Sequence, residues 1–336
     1  MMRVAVIVGG DSEERDVSIA SGAQIAKALR SLAIETVVID TAKGLLNREQ
    51  EVNLFNQKIQ KSFQKIQQFS WEKFIHCFLS DKKILDHIDV FFLALHGGSG
   101  ENGTLQAFFD LIKKPYTGSG HLASACAFDK VLSKKIMTLS HIPTPDWILA
   151  DEGFIPRVFE VLKLPFVVKP NQQGSTVGLT IVHQADQLLE AINLAKQFDS
   201  QVIIEQFIEG REITVGILDG KALPVGEIIL PHDIEFDYLS KYQPNKVQEI
   251  FPADIPQSVA KKAQQYAERL HSTLGLTDYS RTDFRLDHQD LLWCLEINSL
   301  PGMTEQSLLP KAAAASNIPL AQLCLKICEL ALKRSV

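Results

Sequence analysis

Apolar residues along this chain follow two rhythms. Near the start, Val4–Val8 is an unbroken apolar run, the form of a strand buried on both faces. Gly9–Arg15 reads as a loop. From Ser18 to Leu32 the residues Ile19, Ile25, Ala26 and Leu29 recur at helical spacing, and Glu35–Ile39 reads as a second strand. A polar, Gln-rich stretch then carries Leu54, Phe55, Ile59, Phe63 and Ile66 at helical spacing, a stripe suited to core packing or a helix-helix contact. Asp89–Leu95 is another strand and ends in His96-Gly97-Gly98. Strands alternating with helices predict an α/β doubly wound unit, whose ligands bind in loops at strand C-terminal ends.

The link Thr117-Gly118-Ser119-Gly120 marks a boundary. Beyond it the pattern predicts a helix over Ala123–Leu139, a strand over Leu164–Lys169 stopped by Pro170, a loop over Asn171–Gly178, a helix over Asp186–Phe198 and a strand over Gln201–Phe207. From about Ile208 it predicts strands near Ile213–Ile217 and Ala222–Ile229, a polar loop over Pro231–Gln248, a helix over Gln257–Leu274, a hairpin, and a C-terminal helix. There are no internal repeats or low-complexity tracts.

The hairpin, Tyr279–Gly302, is the most informative segment. Two runs alternate apolar and polar residues around the link Asp287-His288-Gln289-Asp290. Arg281 and Asp283 share one face of the first run. Glu296 and Asn298 share a face of the second, with Trp293, Leu295 and Ile297 opposite. A turn centred on His288-Gln289 sets Arg281 across from Glu296 and Asp283 diagonal to it. One face is then core. The other gathers two carboxylates, an amide oxygen and a guanidinium. Oxygen donors without thiols or imidazoles suit Mg²⁺, and a metal beside a fixed Arg suits phosphoryl chemistry. A charged strand face is equally the mark of solvated surface, so the rest of the chain has to decide.

Composition narrows the choice. With 336 residues the chain exceeds one small core and suits two or three domains. An apolar fraction of 46% and a charged fraction of 22% are those of an ordinary globular protein. A net charge of −6 argues against nucleic acid as a partner, while leaving room for a small polyanion held by a few local Lys and Arg. The five Cys form no C-x-x-C pair and no zinc pattern, and Cys324 and Cys328 fall i, i+4 in an apolar helical pattern. That usage suits a reducing cytoplasm. The opening MMRVAVIVGG is too short for a signal segment and reads as the first strand, and no run reaches the roughly 18 apolar residues of a membrane span.

No G-x-G-x-x-G follows the first strand, and no G-x-x-x-x-G-K-[ST] occurs. Instead Pro165–Pro170 places Lys169 at a strand end, directly before Gly174-Ser-Thr-Val-Gly178. Glycines there let backbone N–H groups turn inward and the hydroxyls add donors, which makes a phosphate cradle, although a plain surface turn has the same composition. Lys130 opens a helix upstream, and Glu205 and Glu212 flank Phe207-Ile-Glu-Gly210. Two lysines on separate elements, the glycine loop and the acidic hairpin form a consistent set for ATP with Mg²⁺.

Together these residues resemble the ATP-grasp superfamily and, within it, the D-alanine–D-alanine ligase family. The resemblance rests on Gly9-Gly10-Asp-Ser-Glu-Glu14-Arg15-Asp-Val-Ser18; Leu95-His96-Gly97 with Gly100-Glu101-Asn-Gly103-Thr-Leu-Gln106; Pro115–Gly120; Asp129-Lys130; Val168-Lys169-Pro170 with Gly174-Ser175; Asp237-Tyr-Leu-Ser-Lys241-Tyr242; Arg281-x-Asp283; and Glu296-Ile-Asn298-Ser-Leu-Pro-Gly302-Met-Thr with Ser307-Leu308. It covers nearly the whole chain.

The resemblance implies a three-domain α/β architecture: a Rossmann-like domain over 1–118, a central ATP-grasp subdomain with the glycine loop over 119–207, and a C-terminal ATP-grasp subdomain with lid loop and metal site over 208–336. It also implies residue roles. Lys130 and Lys169 hold ATP phosphates, and Ser175 provides the glycine-loop contact. Glu205, Gln206, Phe207 and Glu212 surround adenosine. Asp283, Glu296 and Asn298 bind two Mg²⁺, for which Mn²⁺ can substitute. Glu14 grips the ammonium of the first D-alanine, with His96 nearby. Arg281 and the Gly302 N–H stabilise an oxyanion. Ser307 and Leu308 locate the second D-alanine. Tyr242, with Lys241, closes over the site. The implied activity is ATP-dependent formation of D-alanyl-D-alanine through an acyl phosphate, for peptidoglycan synthesis, by a cytoplasmic homodimer that binds neither nucleic acid nor membrane.

Departures from the family pattern are small: Gln206 where many members have Lys, Gln173 where Glu is common, and Ser299 where Thr is common. The Asn47–Ser80 region is longer than in compact members and has no assigned role. The rival readings are a D-alanine–D-lactate ligase, against which Tyr242 speaks, and a non-catalytic ATP-binding regulator, against which the retained Arg281, Asp283, Glu296 and Asn298 speak.

Overall fold

The computed structural model describes residues 2–56, 70–80, 85–151, 153–174, 176–229 and 248–334. Ile59, Phe63 and Ile66 of the Gln-rich stripe, Ser175, Lys241 and Tyr242 fall outside them, as does all but the last residue of the Pro231–Gln248 loop.

Three sheets follow one another along the chain. The first has the order β3-β2-β1-β4, from β1 (Arg3–Val8), β2 (Glu35–Asp40), β3 (Gly44–Leu45) and β4 (Val90–Leu93). β1 runs parallel to both β2 and β4. Val4–Val8 are fully buried between them, as an unbroken apolar run requires. The loops leaving β1 and β4 carry Glu14 and His96 to the same end of the sheet. Arg15, at the start of the helix Arg15–Ser31, fixes the first loop through paired bonds of 2.7 and 2.8 Å to the fully buried Asp40 of β2.

The second sheet, β5-β8-β6-β7, is antiparallel: β5 (Trp147–Leu149), β6 (Phe166–Pro170), β7 (Thr180–Val182) and β8 (Val202–Gln206). Val167 pairs with Glu205, so Lys169, two residues on, rises from the same face beside that carboxylate. The strand includes Pro170, which the sequence placed just past its end.

The third sheet has the order β12-β11-β9-β13-β14, with β10 (Lys221–Ala222) on β9. Its members are β9 (Arg211–Leu218), β11 (Gly226–Ile229), β12 (Gln248–Ile250), β13 (Tyr279–Leu286) and β14 (Leu292–Asn298). The last two are the expected hairpin, but the register differs. Arg281 lies opposite Asn298, and Asp283 opposite Glu296. Two features cause the shift. The turn takes in Leu291, with Asp287 accepting from the Gln289 and Leu291 N–H groups and Asp290 at φ 59°. A bulge next to Asp283/Phe284 then makes Cys294, not Leu295, the partner of Phe284. Below the bulge the alternation reverses. Cys294 enters the core, and Trp293, expected there, stays half-buried and donates to Asp287 at 2.8 Å.

The helix expected over Ala123–Leu139 is two, His121–Phe128 and Lys130–Leu139. Asp129 leaves helical geometry between them (φ −81°, ψ 104°), and its side chain accepts from the Leu132 N–H at 2.9 Å as an N-cap. The helix predicted over Asp186–Phe198 is a short 3₁₀ turn, Ala185–Gln187, and an α-helix, Leu188–Ala195.

Helices bind the sheets together. Leu320–Arg334 buries Leu323, Cys324, Ile327 and Cys328 in the core of the first sheet, whereas Ala123, Ala127 and Met137 join the core of the third. Among the described residues no single helix is long and apolar enough to cross a membrane. The pair Leu308–Ala315 and Leu320–Arg334 passes on composition but is bent by 102°.

Candidate active site

A cleft opens between the second and third sheets. Val167, Ile181 and Phe207 give it apolar walls, while Lys130, Lys169 and Glu296 stand at its polar end. The side-chain pattern suits a flat apolar ring at one end and a polyanion at the other.

The polar end is built from four elements. Asp129 starts the helix that presents Lys130, whose ammonium donates to the Gln173 carbonyl at 2.6 Å and lies 3.4 Å from the Glu296 carboxylate. One cation thus ties the glycine loop to the hairpin. In that loop the Thr176 hydroxyl is buried with no hydrogen-bond partner among the described residues, which costs free energy unless a ligand oxygen completes it. Lys169 lies 3.2 Å from both oxygens of Glu205.

On the hairpin, Arg281 grips Asp283 with bonds of 2.9 and 2.7 Å. Burial opposes the guanidinium charge, but the Asp283 carboxylate raises its pKa above the ordinary Arg value. Thr214, across the sheet from Asp283, donates to it at 2.7 Å, and the Asn298 amide donates at 3.2 Å. The expected pairing of Arg281 with Glu296 is therefore replaced by Arg281 with Asp283, because the turn and the bulge together put Asn298 opposite Arg281. Asp283, Glu296 and Asn298 still share one face. Among the described residues no cluster of three or more His, Cys, Asp or Glu could hold a metal alone. Two carboxylates and an amide fit a hard cation that takes its other ligands from phosphate and water, as Mg²⁺ does.

The second focus lies at the ends of β1 and β4. Glu14 is pushed up to about 7, first by burial and then by Glu101 and Glu296, with Lys130 and Arg281 opposing. An acidic group poised in this way favours a cationic partner. The glycine loop reaches it, since a Cβ on Gly174 would overlap the Glu14 carboxylate. His96 donates from Nδ1 to the Leu300 carbonyl and accepts at Nε2 from Ser21, both at 3.1 Å, and burial lowers it to about 4, so it is neutral. Glu101 is raised by burial and accepts from the Gly97 N–H at 3.1 Å, while the Leu300 N–H also bonds to it. His96 and Glu101 therefore clamp the backbone of Leu300 from both sides, two residues before Gly302. A Cβ on Gly302 would lie 2.8 Å from the Ser307 hydroxyl, which accepts from Thr304 N–H and precedes the helix starting at Leu308.

Glu212 stands opposite Arg285 in the sheet and lines the cleft. Arg285 also donates to the Ile208 and Gly210 carbonyls at 3.1 and 2.6 Å, fixing the Phe207–Gly210 turn. Gln206, placed at the adenosine site by resemblance, lines the cleft, and its amide bonds to the Lys163 N–H and carbonyl, both at 2.9 Å. Without the charge of the usual Lys, it serves as a strap for that loop.

Sequence reasoning quoted Glu101 without giving it a role and overlooked Thr214, Arg285 and Lys134. Arg285 continues the i, i+2 series of Arg281 and Asp283, and Lys134 lies one helical turn after Lys130, so periodicity could have found both. The partners of Glu101 and Thr214 come from tertiary packing.

Two antiparallel sheets that enclose a polyanion cleft, one supplying a glycine loop and the other an acidic hairpin, are the ATP-grasp arrangement, and that is the class of this fold. Comparison narrows it. Residues 3–119 match the family described as D-ala D-ala ligase N-terminus, and residues 135–329 match D-ala D-ala ligase C-terminus. The D-alanine–D-alanine ligase of Gloeobacter violaceus is 38% identical over 98% of this chain and 100% of its own. That of Pediococcus pentosaceus is also 38% identical, over 96% of this chain and 95% of its own. The crystal structure of the Bacillus anthracis D-alanine–D-alanine ligase complexed with ATP superposes with a TM-score of 0.77 at 32% identity, covering 99% of this chain and 98% of that one. The chain belongs to the D-alanine–D-alanine ligase family.

Proposed function

We propose that this protein joins two D-alanine molecules into D-alanyl-D-alanine with conversion of ATP to ADP and phosphate, supplying a peptidoglycan precursor. The observation that carries the reading is the Lys130 bridge, which links the glycine loop to Glu296 and lies within electrostatic reach of Glu14. A triphosphate site and an ammonium site thereby share one wall.

ATP lies with adenine between the apolar walls near Phe207, and Glu212 at its ribose. Lys130, Lys169 and the Thr176 hydroxyl meet the phosphates, and Ser175 adds a contact. Asp283, Glu296 and Asn298 are the Mg²⁺ ligands. Mg²⁺, when bound, spreads the charge that develops on the phosphate oxygens. Glu14 orients the first D-alanine by its ammonium. Its carboxylate oxygen attacks the γ-phosphorus, and the bond to the ADP oxygen breaks, giving an acyl phosphate. The amine of the second D-alanine, located by Ser307 and Leu308, attacks the acyl carbon and loses a proton. Arg281 and the Gly302 N–H stabilise the oxyanion, and the C–O bond to phosphate breaks. The acyl phosphate must be kept from water, which gives Lys241 and Tyr242 their role in the closing loop. The protein acts in the cytoplasm as a homodimer, with folding units 1–118, 119–207 and 208–336.

Incubation with ATP, Mg²⁺, D-alanine and an equal concentration of D-lactate tests the reading. The expected product at neutral pH is the dipeptide. Preferential formation of the ester overturns it in favour of a D-alanine–D-lactate ligase, and absence of D-alanine-dependent ADP overturns it in favour of an ATP-binding regulator.

A further inference from the structure

Behind the wall of the cleft lies an ionic group that the reaction scheme does not use. Lys134 is fully buried, one turn along the helix from Lys130. Its ammonium lies 2.6 Å from Glu205 Oε2 and donates to the Thr144 hydroxyl at 2.6 Å. Glu205 is itself 2% exposed and meets Lys169 at 3.2 Å through both oxygens, so that Oε2 is shared by the two lysines. Lys169 and Glu205 line the cleft, and Lys134 does not.

Burying an ion is costly unless its charge is met. Here two lysines flank one carboxylate: burial pushes the Lys134 ammonium down, and the Glu205 charge opposes that. Burial alone would raise Glu205, but Lys134 and then Lys169 hold it below the ordinary carboxylate range. With Lys169 as sole partner, Glu205 would neutralise the cation that faces the cleft and draw it from any phosphate. The closer ion pair is the hidden one, so Lys134 takes the larger share of the carboxylate.

We propose that Lys134 is a positioning residue for the nucleotide: by engaging Glu205 from behind, it leaves the charge of Lys169 available to the triphosphate. This rests on the reading of the cleft as an ATP site. It assigns Lys134 an effect on phosphate affinity without contact with ATP, and makes that effect depend on Glu205.

The test is the ratio of ATP to adenosine affinity, measured calorimetrically with Mg²⁺ on the full-length protein and its variants. Lys134→Met should lower the ratio about tenfold, the order of one charge-assisted hydrogen bond. In a Glu205→Gln background the same substitution should change it less than about twofold, because no carboxylate remains to compete for Lys169. Thr144→Val, which removes only the hydroxyl partner, should shift the ratio the same way by a smaller factor. It keeps the proposal testable if Lys134→Met does not fold. An equal loss in both backgrounds, an equal loss for adenosine and ATP, or an unchanged ratio in Lys134→Met or Thr144→Val would overturn the role of Lys134. Failure of the wild-type protein to prefer ATP over adenosine would instead overturn the site reading. Lys169→Met is the control that should abolish the preference directly.

Discussion

The acidity of Glu14 makes substrate capture pH-dependent in a range where an ordinary glutamate is silent. Burial, Glu101 and Glu296 push it up to about 7 from the ordinary glutamate value of 4.5. The ammonium of D-alanine requires the ionised form. A group with a raised value loses that form as pH falls through about 7, so about half of the unliganded protein is competent at pH 7 and roughly a tenth at pH 6. The assay is kcat/KM for D-alanine at saturating ATP from pH 6 to 8, for the wild type and Glu14→Gln. Their ratio cancels the titration of the amino acid itself. It should rise about tenfold from pH 6 to 8 and level off above that. A flat ratio would refute the reasoning, since it would place the Glu14 transition near its ordinary value. The sign for stability is opposite. A carboxyl with a raised folded-state value favours the folded state when protonated, and that contribution is lost as pH rises through about 7. Glu14→Gln should therefore stabilise the unliganded protein at pH 8, by on the order of 2 kcal/mol in urea titration, while weakening substrate capture.

Three other outcomes follow from the geometry. Glu296→Gln should lower kcat by about 100-fold or more and raise the Mg²⁺ concentration needed for half-maximal rate; an unchanged Mg²⁺ curve would count against its place among the ligands. Gly174→Ala puts a methyl against the Glu14 carboxylate, so KM for D-alanine should rise about tenfold with ATP affinity nearly unchanged; the reverse pattern in steady-state kinetics would argue against that contact. Phe284→Ala removes a fully buried ring from the core face of the hairpin and should cost about 3–5 kcal/mol in urea denaturation, whereas a loss under about 1 kcal/mol would contradict its packing.

Much of this arrangement was legible because it rests on local pattern. Val4–Val8 could only be a strand buried on both sides, and the period of two in Tyr279–Leu286 placed Arg281 and Asp283 on one face whatever the register. The register itself was not legible. A bulge near Leu295 costs little in sequence terms, yet it exchanges Trp293 for Cys294 in the core and moves Arg281 opposite Asn298. Lys130 was legible as the start of a helix, but the cap role of Asp129 was not: its helical flanks continue the apolar rhythm, and only the break in backbone direction reveals it. Lys134 gives no sign in the sequence, because nothing local announces a buried carboxylate 71 residues away on another strand. The clamp of His96 and Glu101 on Leu300 joins segments about 200 residues apart and depends wholly on the packing of the first sheet against the hairpin exit.

The central claim is that the carboxylate of one D-alanine is activated as an acyl phosphate within this cleft. Isotope transfer tests it most directly. D-Alanine labelled with ¹⁸O in both carboxyl oxygens is supplied with ATP and Mg²⁺, and the phosphate released is analysed by mass spectrometry. The attacking oxygen stays on phosphorus when the amine displaces phosphate from the acyl carbon. Each dipeptide should therefore be matched by one ADP and one phosphate carrying a single ¹⁸O. Dipeptide accompanied by unlabelled phosphate would contradict the account.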